Sequence, residues 1–83
     1  MNKILVIVYV PTIDESYNVF IPINKKIGTV KNVIVNAISE LSEIDVSTFK
    51  NMKLYEKESG NILSNNVYVK ASEIVNGSEL ILL

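Results

Sequence analysis

Three carboxylates that could do chemistry, Glu40, Glu43 and Asp45, sit close together in this sequence. Neighbouring carboxylates can divide acid and base duty between them or hold a hard cation. A calcium loop sets its oxygens at alternating positions around a glycine turn, and this segment has neither feature. The run is therefore expected to be the solvated end of a helix, and Asp14–Glu15 and Glu56–Glu58 to be loop and turn charges. The serines have no histidine to activate them, because the chain contains no histidine and no cysteine. That inventory also removes thiolate nucleophiles, disulfides and zinc sites of the usual ligand types. Three scattered glycines cannot form a phosphate-cradling loop. No catalytic residue, metal site or cofactor is expected, and the chain is not expected to be an enzyme.

What remains is recognition. The 83 residues carry a net charge of -1, and the eight cationic side chains are all lysines, with no arginine to fork onto phosphates or bases. Nucleic acid is not an expected partner. The apolar run Ile4–Val10 follows Lys3 as in a secretion signal, but it is short, mostly β-branched, ends at Pro11 and leads to Asp14 and Glu15 without a cleavage site. It reads as a buried strand, no segment is long enough to span a bilayer, and a cytoplasmic location is expected.

The elements that must position any binding site follow from periodicity. With 48% hydrophobic residues, chiefly Ile, Val and Leu, the chain has the material of a β-rich core in a single domain, residues 1–83. Alternation predicts a first strand at Lys3–Val10, a loop at Pro11–Ser16 and a second strand at Tyr17–Ile23, joined as a hairpin. Thr29 is the expected helix N-cap. From Val30 to about Glu43 the period lengthens, and Val30, Val33, Ile34, Ala37, Ile38, Leu41 and Ile44 form one apolar stripe. Asp45–Asn51 is a link, Met52–Glu56 a third strand, Lys57–Asn61 a turn and Ile62–Leu63 a short fourth strand. Val67, Val69 and Ile74 are expected to tuck under the sheet, with a 3₁₀ turn near Ala71–Ile74. Asn76–Gly77 sets up a closing strand, Glu79–Leu83. The order ββαβββ is an α+β chain with a mixed sheet and one helix packed on one face, the β-grasp arrangement.

One helix covers one face, so the other must be polar or must meet something. Counting alternation from Ile4, Val6 and Val8 inward places Leu5, Ile7 and Tyr9 outward. The same count turns Phe20, Lys53, Tyr55, Ile81 and Leu83 outward. Leu5, Ile7, Phe20, Tyr55, Ile81 and Leu83 are the candidate protein-binding residues, forming an apolar exterior of the kind that marks interaction sites. Loops folding over this face, or a homodimer burying it, would account for the same pattern. A second candidate is a docking patch for an acidic partner. Lys25, Lys26 and Lys31 gather at the helix N-terminal end and Glu40, Glu43 and Asp45 at the other, against the helix dipole.

The helix start Thr29-Val-Lys-Asn-Val33 and the ending Gly77-Ser-Glu-Leu-Ile-Leu-Leu83 resemble ubiquitin, and the resemblance spans the strands between. It implies the ubiquitin-like fold, and puts Tyr55, Ile81 and Leu83 near ubiquitin's partner-binding patch. The sequence stops where ubiquitin continues into its Gly-Gly tail, so sulfur-carrier or modifier chemistry is not expected. Within the superfamily the chain resembles the tailless bacterial YukD/EsaB family. That likeness implies a cytoplasmic accessory of type VII (WXG-motif protein) secretion, with the cytoplasmic parts of secretion-machinery membrane proteins as partners. A β-grasp adaptor unrelated to secretion fits the same residues.

Overall fold

Alternating β-branched residues favour extended backbone, and in the computed structural model, which describes residues 2–83, Lys3–Val10 is strand β1. Val6, Val8 and Val10 are fully buried, while Leu5, Ile7 and Tyr9 are half-buried. A 3₁₀ turn at Pro11–Ile13 reverses the chain, with Asp14 in the left-handed region at φ 51°, which short polar side chains tolerate. Strand β2, Glu15–Pro22, then pairs antiparallel with β1 along its whole length, from Lys3 opposite Pro22 to Val10 opposite Glu15. It begins two residues before the predicted Tyr17. The reversal needs only Pro11–Asp14, and the polar Glu15 and Ser16 enter the ladder despite their loop-like composition.

Helix α1 spans Ile27–Ser42 and is preceded by Lys26 as N-cap, so the predicted cap Thr29 lies inside the first turn. The reason is a partner distant in sequence. Helix-initial N–H groups need acceptors, and here the Ile27 N–H donates to the Val67 carbonyl at 2.8 Å and the Gly28 N–H to the Asn65 carbonyl at 3.0 Å. The approach is close at Gly28, where a Cβ would stand 3.2 Å from both the Asn65 Cβ and its carbonyl oxygen. The early start also recentres the buried stripe, which consists of Ile27, Val30, Ile34, Val35 and Ile38. Val33 points about 100° away from Ile34 and is exposed. Leu41 is exposed as well, in the last turn, whose neighbour is the 3₁₀ helix Val46–Thr48. Ala37 and Ile44 pack against the core edge as expected.

After Glu43 leaves the helix at φ 61°, the Asp45 carboxylate accepts the Ser47 N–H at 2.9 Å and starts that 3₁₀ helix, which delivers Phe49 into the core. Strand β3 is Leu54–Glu56, shorter than the predicted Met52–Glu56. Its Glu56 builds the following turn: the side chain accepts the Ser59 N–H at 2.7 Å and the carbonyl accepts the Gly60 N–H at 2.8 Å. The predicted fourth strand reduces to a single bridge between Tyr55 and Ile62. Beyond Leu63 the chain leaves the sheet to carry the Asn65 and Val67 carbonyls to the helix start. Val69 and Ile74 are buried and Val67 is half-buried, with the 3₁₀ turn at Val69–Ala71, two residues earlier than expected. The Ser72 hydroxyl, which accepts the Ile74 N–H, ends it.

Strand β4, Glu79–Leu82, lies between β1 and β3 in the order β2-β1-β4-β3, parallel to β1 and antiparallel to β3. Its approach is pinned to β1 before pairing begins. The Leu5 N–H donates to the Asn76 side-chain oxygen at 2.8 Å and the Gly77 N–H to the Leu5 carbonyl at 2.7 Å, with Gly77 at φ 88°. Leu80 and Leu82 are fully buried beneath the helix with Val6, Val8, Ile21, Ile34 and Ile38.

Candidate functional site

Pairing decides which outward side chains become neighbours. Leu5 stands opposite Phe20, Ile7 opposite Asn18 and Glu79, and Tyr9 opposite Ser16 and Ile81, while Ile81 is in turn opposite Tyr55. A row Tyr9–Ile81–Tyr55 therefore crosses three strands, and the bridge adds Ile62 beyond Tyr55. Leu83 follows Ile81 on the same face. Its N–H and carbonyl both bond Lys53, at 3.0 and 2.9 Å, so its backbone is held although its side chain is 56% exposed. The second apolar lobe is Leu5 with Phe20, which is 64% exposed. Ile7 links the two lobes across a polar row of Asn18, Glu79 and Lys57, the last two joined by an exposed ion pair of 3.6 Å.

All six candidate binding residues thus lie on the face opposite the helix, in two lobes joined at Ile7. Tyr9 and Ile62 complete the larger lobe. Tyr9's outward direction is readable from alternation. Ile62 enters because the turn at Lys57–Asn61 folds it back onto Tyr55; the turn and the apolar pair after it are legible in the sequence, but not that Ile62 stands beside Tyr55.

Of the lysines, Lys25 and Lys26 are exposed ahead of the helix, with the Lys26 ammonium 6.0 Å from the Tyr68 ring centroid. Lys31 is half-buried and lines a different groove, shared with Lys50 and Lys53. Among the described residues no group of three His, Cys, Asp or Glu side chains could hold a metal ion. Glu40, Glu43 and Asp45 are exposed at and beyond the helix end, and the Ser47 N–H holds the Asp45 carboxyl below its usual range.

At the rim of the larger lobe the Tyr9 hydroxyl donates to the Asp14 carboxylate at 2.7 Å, tying the open face to the β1–β2 reversal. The hydrogen bond to that carboxylate, with smaller help from desolvation and from its charge, raises the Tyr9 ionisation above the ordinary value near 10. A raised value means the fold favours the protonated phenol, so this contribution is intact below the ordinary value and is lost as pH rises through the raised one. Ultraviolet titration is expected to show Tyr9 ionising above the ordinary phenol value, and Asp14→Asn to bring it back toward that value.

No protein-family model matches the sequence, and no curated protein matches it. Solved structures do match. The ubiquitin-like domain of Arabidopsis thaliana protein At2g32350 superposes with a TM-score of 0.68 at 20% identity, covering 100% of this chain and 78% of that one. The N-terminal ubiquitin-like domain in the 4931431F19Rik protein gives 0.69 at 18% identity, covering 99% and 74%. The fold is the ubiquitin-like β-grasp. A structure of ATBAG1 in complex with HSP70 shares it, with a TM-score of 0.67 at 14% identity over 96% of this chain and 39% of that chain. At such identities the ubiquitin-like likeness is one of architecture: a helix on one side, and on the other a face whose residues each chain chooses for itself. Among the described residues no helix is long and apolar enough to cross a membrane.

Proposed function

We propose that this chain is a single, non-catalytic ubiquitin-like domain that works by binding another protein through the open face of its sheet. The observation that carries this is the Tyr9–Ile81–Tyr55 row with Ile62 and Leu83. A one-helix sheet ordinarily presents polar side chains on its free face. Here all five are aliphatic or aromatic: Tyr9, Ile81 and Tyr55 lie on three adjacent strands, and Ile62 and Leu83 extend them toward the edge of the sheet. Aromatic anchors ringed by polar groups are the usual makeup of a binding centre, and Ser16, Glu79, Lys53 and Lys57 supply such a rim. The same fold occurs, over 39% of its chain, in ATBAG1, a protein solved in complex with HSP70.

The finer reading is a YukD/EsaB-like accessory of type VII secretion, cytoplasmic and docked on the cytoplasmic parts of the membrane machinery. Its support is the sequence resemblance at Thr29–Val33 and Gly77–Leu83. Tyr55→Asp and Phe20→Asp test the interface, and capture from the native cell followed by mass spectrometry tests the partner. Tyr55→Asp is expected to weaken association about 30-fold or more, the scale of losing one buried aromatic anchor, without unfolding the domain. Phe20→Asp, in the smaller lobe, is expected to do less. Association unaffected by both would remove the sheet-face reading, and reproducible capture of proteins outside a secretion machinery would remove the finer one. Sedimentation that shows a dimer abolished by Tyr55→Asp would assign the face to self-association.

A further inference from the structure

We infer that the groove between helix α1 and the outer edge of β3 receives an extended acidic segment of a partner protein, with an aliphatic side chain of that segment set against Ile62. This deepens the protein-binding reading and rests on it. Lys31 from the helix and Lys50 and Lys53 from the approach to β3 converge on the groove, with Asn51 and Asn65 between them and no carboxylate among its lining residues. The one ion pair among the described residues joins Lys57 to Glu79, so none of these three ammonium groups is neutralised by an internal partner. The chain as a whole is slightly acidic, at -1. Its acidic groups Glu56, Glu58 and Glu73 gather instead around Ser59, at the turn that follows β3. Such a separation focuses positive potential in the groove, and steers an anionic segment to it and away from the turn.

Two features select a peptide over a small anion. Ile62 is 54% exposed at the groove, an apolar contact that a phosphate cannot use. The bridge between Ile62 and Tyr55 is flanked by the Glu56 N–H to Asn61 carbonyl and Leu63 N–H to Leu54 carbonyl bonds, both 2.9 Å. In an antiparallel pair of that kind the middle residue turns its own N–H and carbonyl away from the neighbouring strand. Ile62 thus offers a backbone donor and an acceptor on the outer edge, where an extended chain can pair with both. The ligand this fits has carboxylates for the three lysines, one aliphatic side chain, and backbone in strand conformation.

Amide chemical-shift mapping of the full chain tests it, with a short peptide of Asp and Glu interrupted by Leu as probe. Controls are the same peptide with Asn and Gln in place of the acids, inorganic pyrophosphate, and phosphatidylglycerol vesicles. The acidic peptide is expected to shift Lys31, Lys53, Ile62 and Asn65, and to weaken as salt rises. A variant combining Lys31→Gln, Lys50→Gln and Lys53→Gln is expected to lower its affinity at least about tenfold, and Ile62→Ala several-fold. Shifts lying elsewhere, affinity retained in the triple variant, or equal response to pyrophosphate or vesicles would overturn the inference. A silent groove with Tyr55→Asp still blocking partner association would remove this site alone. Loss of both results would remove the binding reading itself.

Discussion

Phe49→Ala is expected to remove about 3–5 kcal/mol of folding free energy, seen as a large drop in the urea midpoint with little change in slope. Phe49 is the largest fully buried side chain among the described residues, yet it sits in no strand and not in the main helix. Its position is made by three local bonds. Asp45 caps the 3₁₀ turn through Ser47, the Phe49 N–H donates to the Val46 carbonyl at 3.1 Å, and the Met52 N–H donates to the Phe49 carbonyl at 3.1 Å. The ring fills space in a close-packed core, whose surrounding side chains can relax only partly into the void its removal leaves. For a chain of this length the whole folding free energy is about 4–12 kcal/mol, so the substitution is expected to leave a substantial unfolded fraction near 37 °C. Lys50→Ala, one residue on and exposed, is the control and should stay within about 0.5 kcal/mol of the parent. A Phe49→Ala loss below about 1 kcal/mol would mean that the link between α1 and β3 is not part of the core.

Phe49 also shows what kind of information a linear reading carries. The alternation of Lys3–Val10 and the three-and-four spacing through the helix are local periodicities, and each gives the correct element and, for the strands, the correct inward face. Residues placed by a single distant contact leave no such trace. Phe49 reads as part of a link because one apolar residue in a polar segment has no period. Thr29 reads as an N-cap because its chemistry suits one, whereas the helix takes its first acceptors from the carbonyls of Asn65 and Val67, some forty residues away. The predicted strand at Ile62–Leu63 survives as one bridge for the same reason, since those carbonyls can reach the helix only if the chain leaves the sheet. The candidate face divides in the same way. The outward direction of Leu5, Ile7, Phe20, Tyr55, Ile81 and Leu83 is fixed by alternation alone. Their grouping into two lobes depends on which strand neighbours which, and in particular on β4 inserting between β1 and β3 and setting Glu79 beside Ile7.

That insertion makes the pair Leu80 and Ile81 the sharpest test of fold against function, because successive residues of a central strand face opposite ways. Leu80 has no exposed surface and lies opposite Val8 and Glu56, whereas Ile81 is half-buried on the open face between Tyr9 and Tyr55. Leu80→Asn replaces a fully buried leucine with a polar amide under the helix, where only the Glu56 carboxylate opposite offers it a polar neighbour across the strand pair, for an expected loss of about 3–4 kcal/mol. Ile81→Asn keeps one face of the amide in water and should cost the fold about 1 kcal/mol or less. The binding consequences are expected to run the other way. Ile81→Asn places a polar group at the centre of the Tyr9–Ile81–Tyr55 row and should weaken partner association about 30-fold or more, with the folded population nearly intact. Urea melts and association measurements on the two variants side by side check both halves. A stable Leu80→Asn would require β4 to be shifted by one residue, which would turn all its side chains to the opposite faces. A Ile81→Asn chain that binds like the parent would leave the apolar row without a role in recognition, and would move the search for the partner site to the lysine groove beside Ile62.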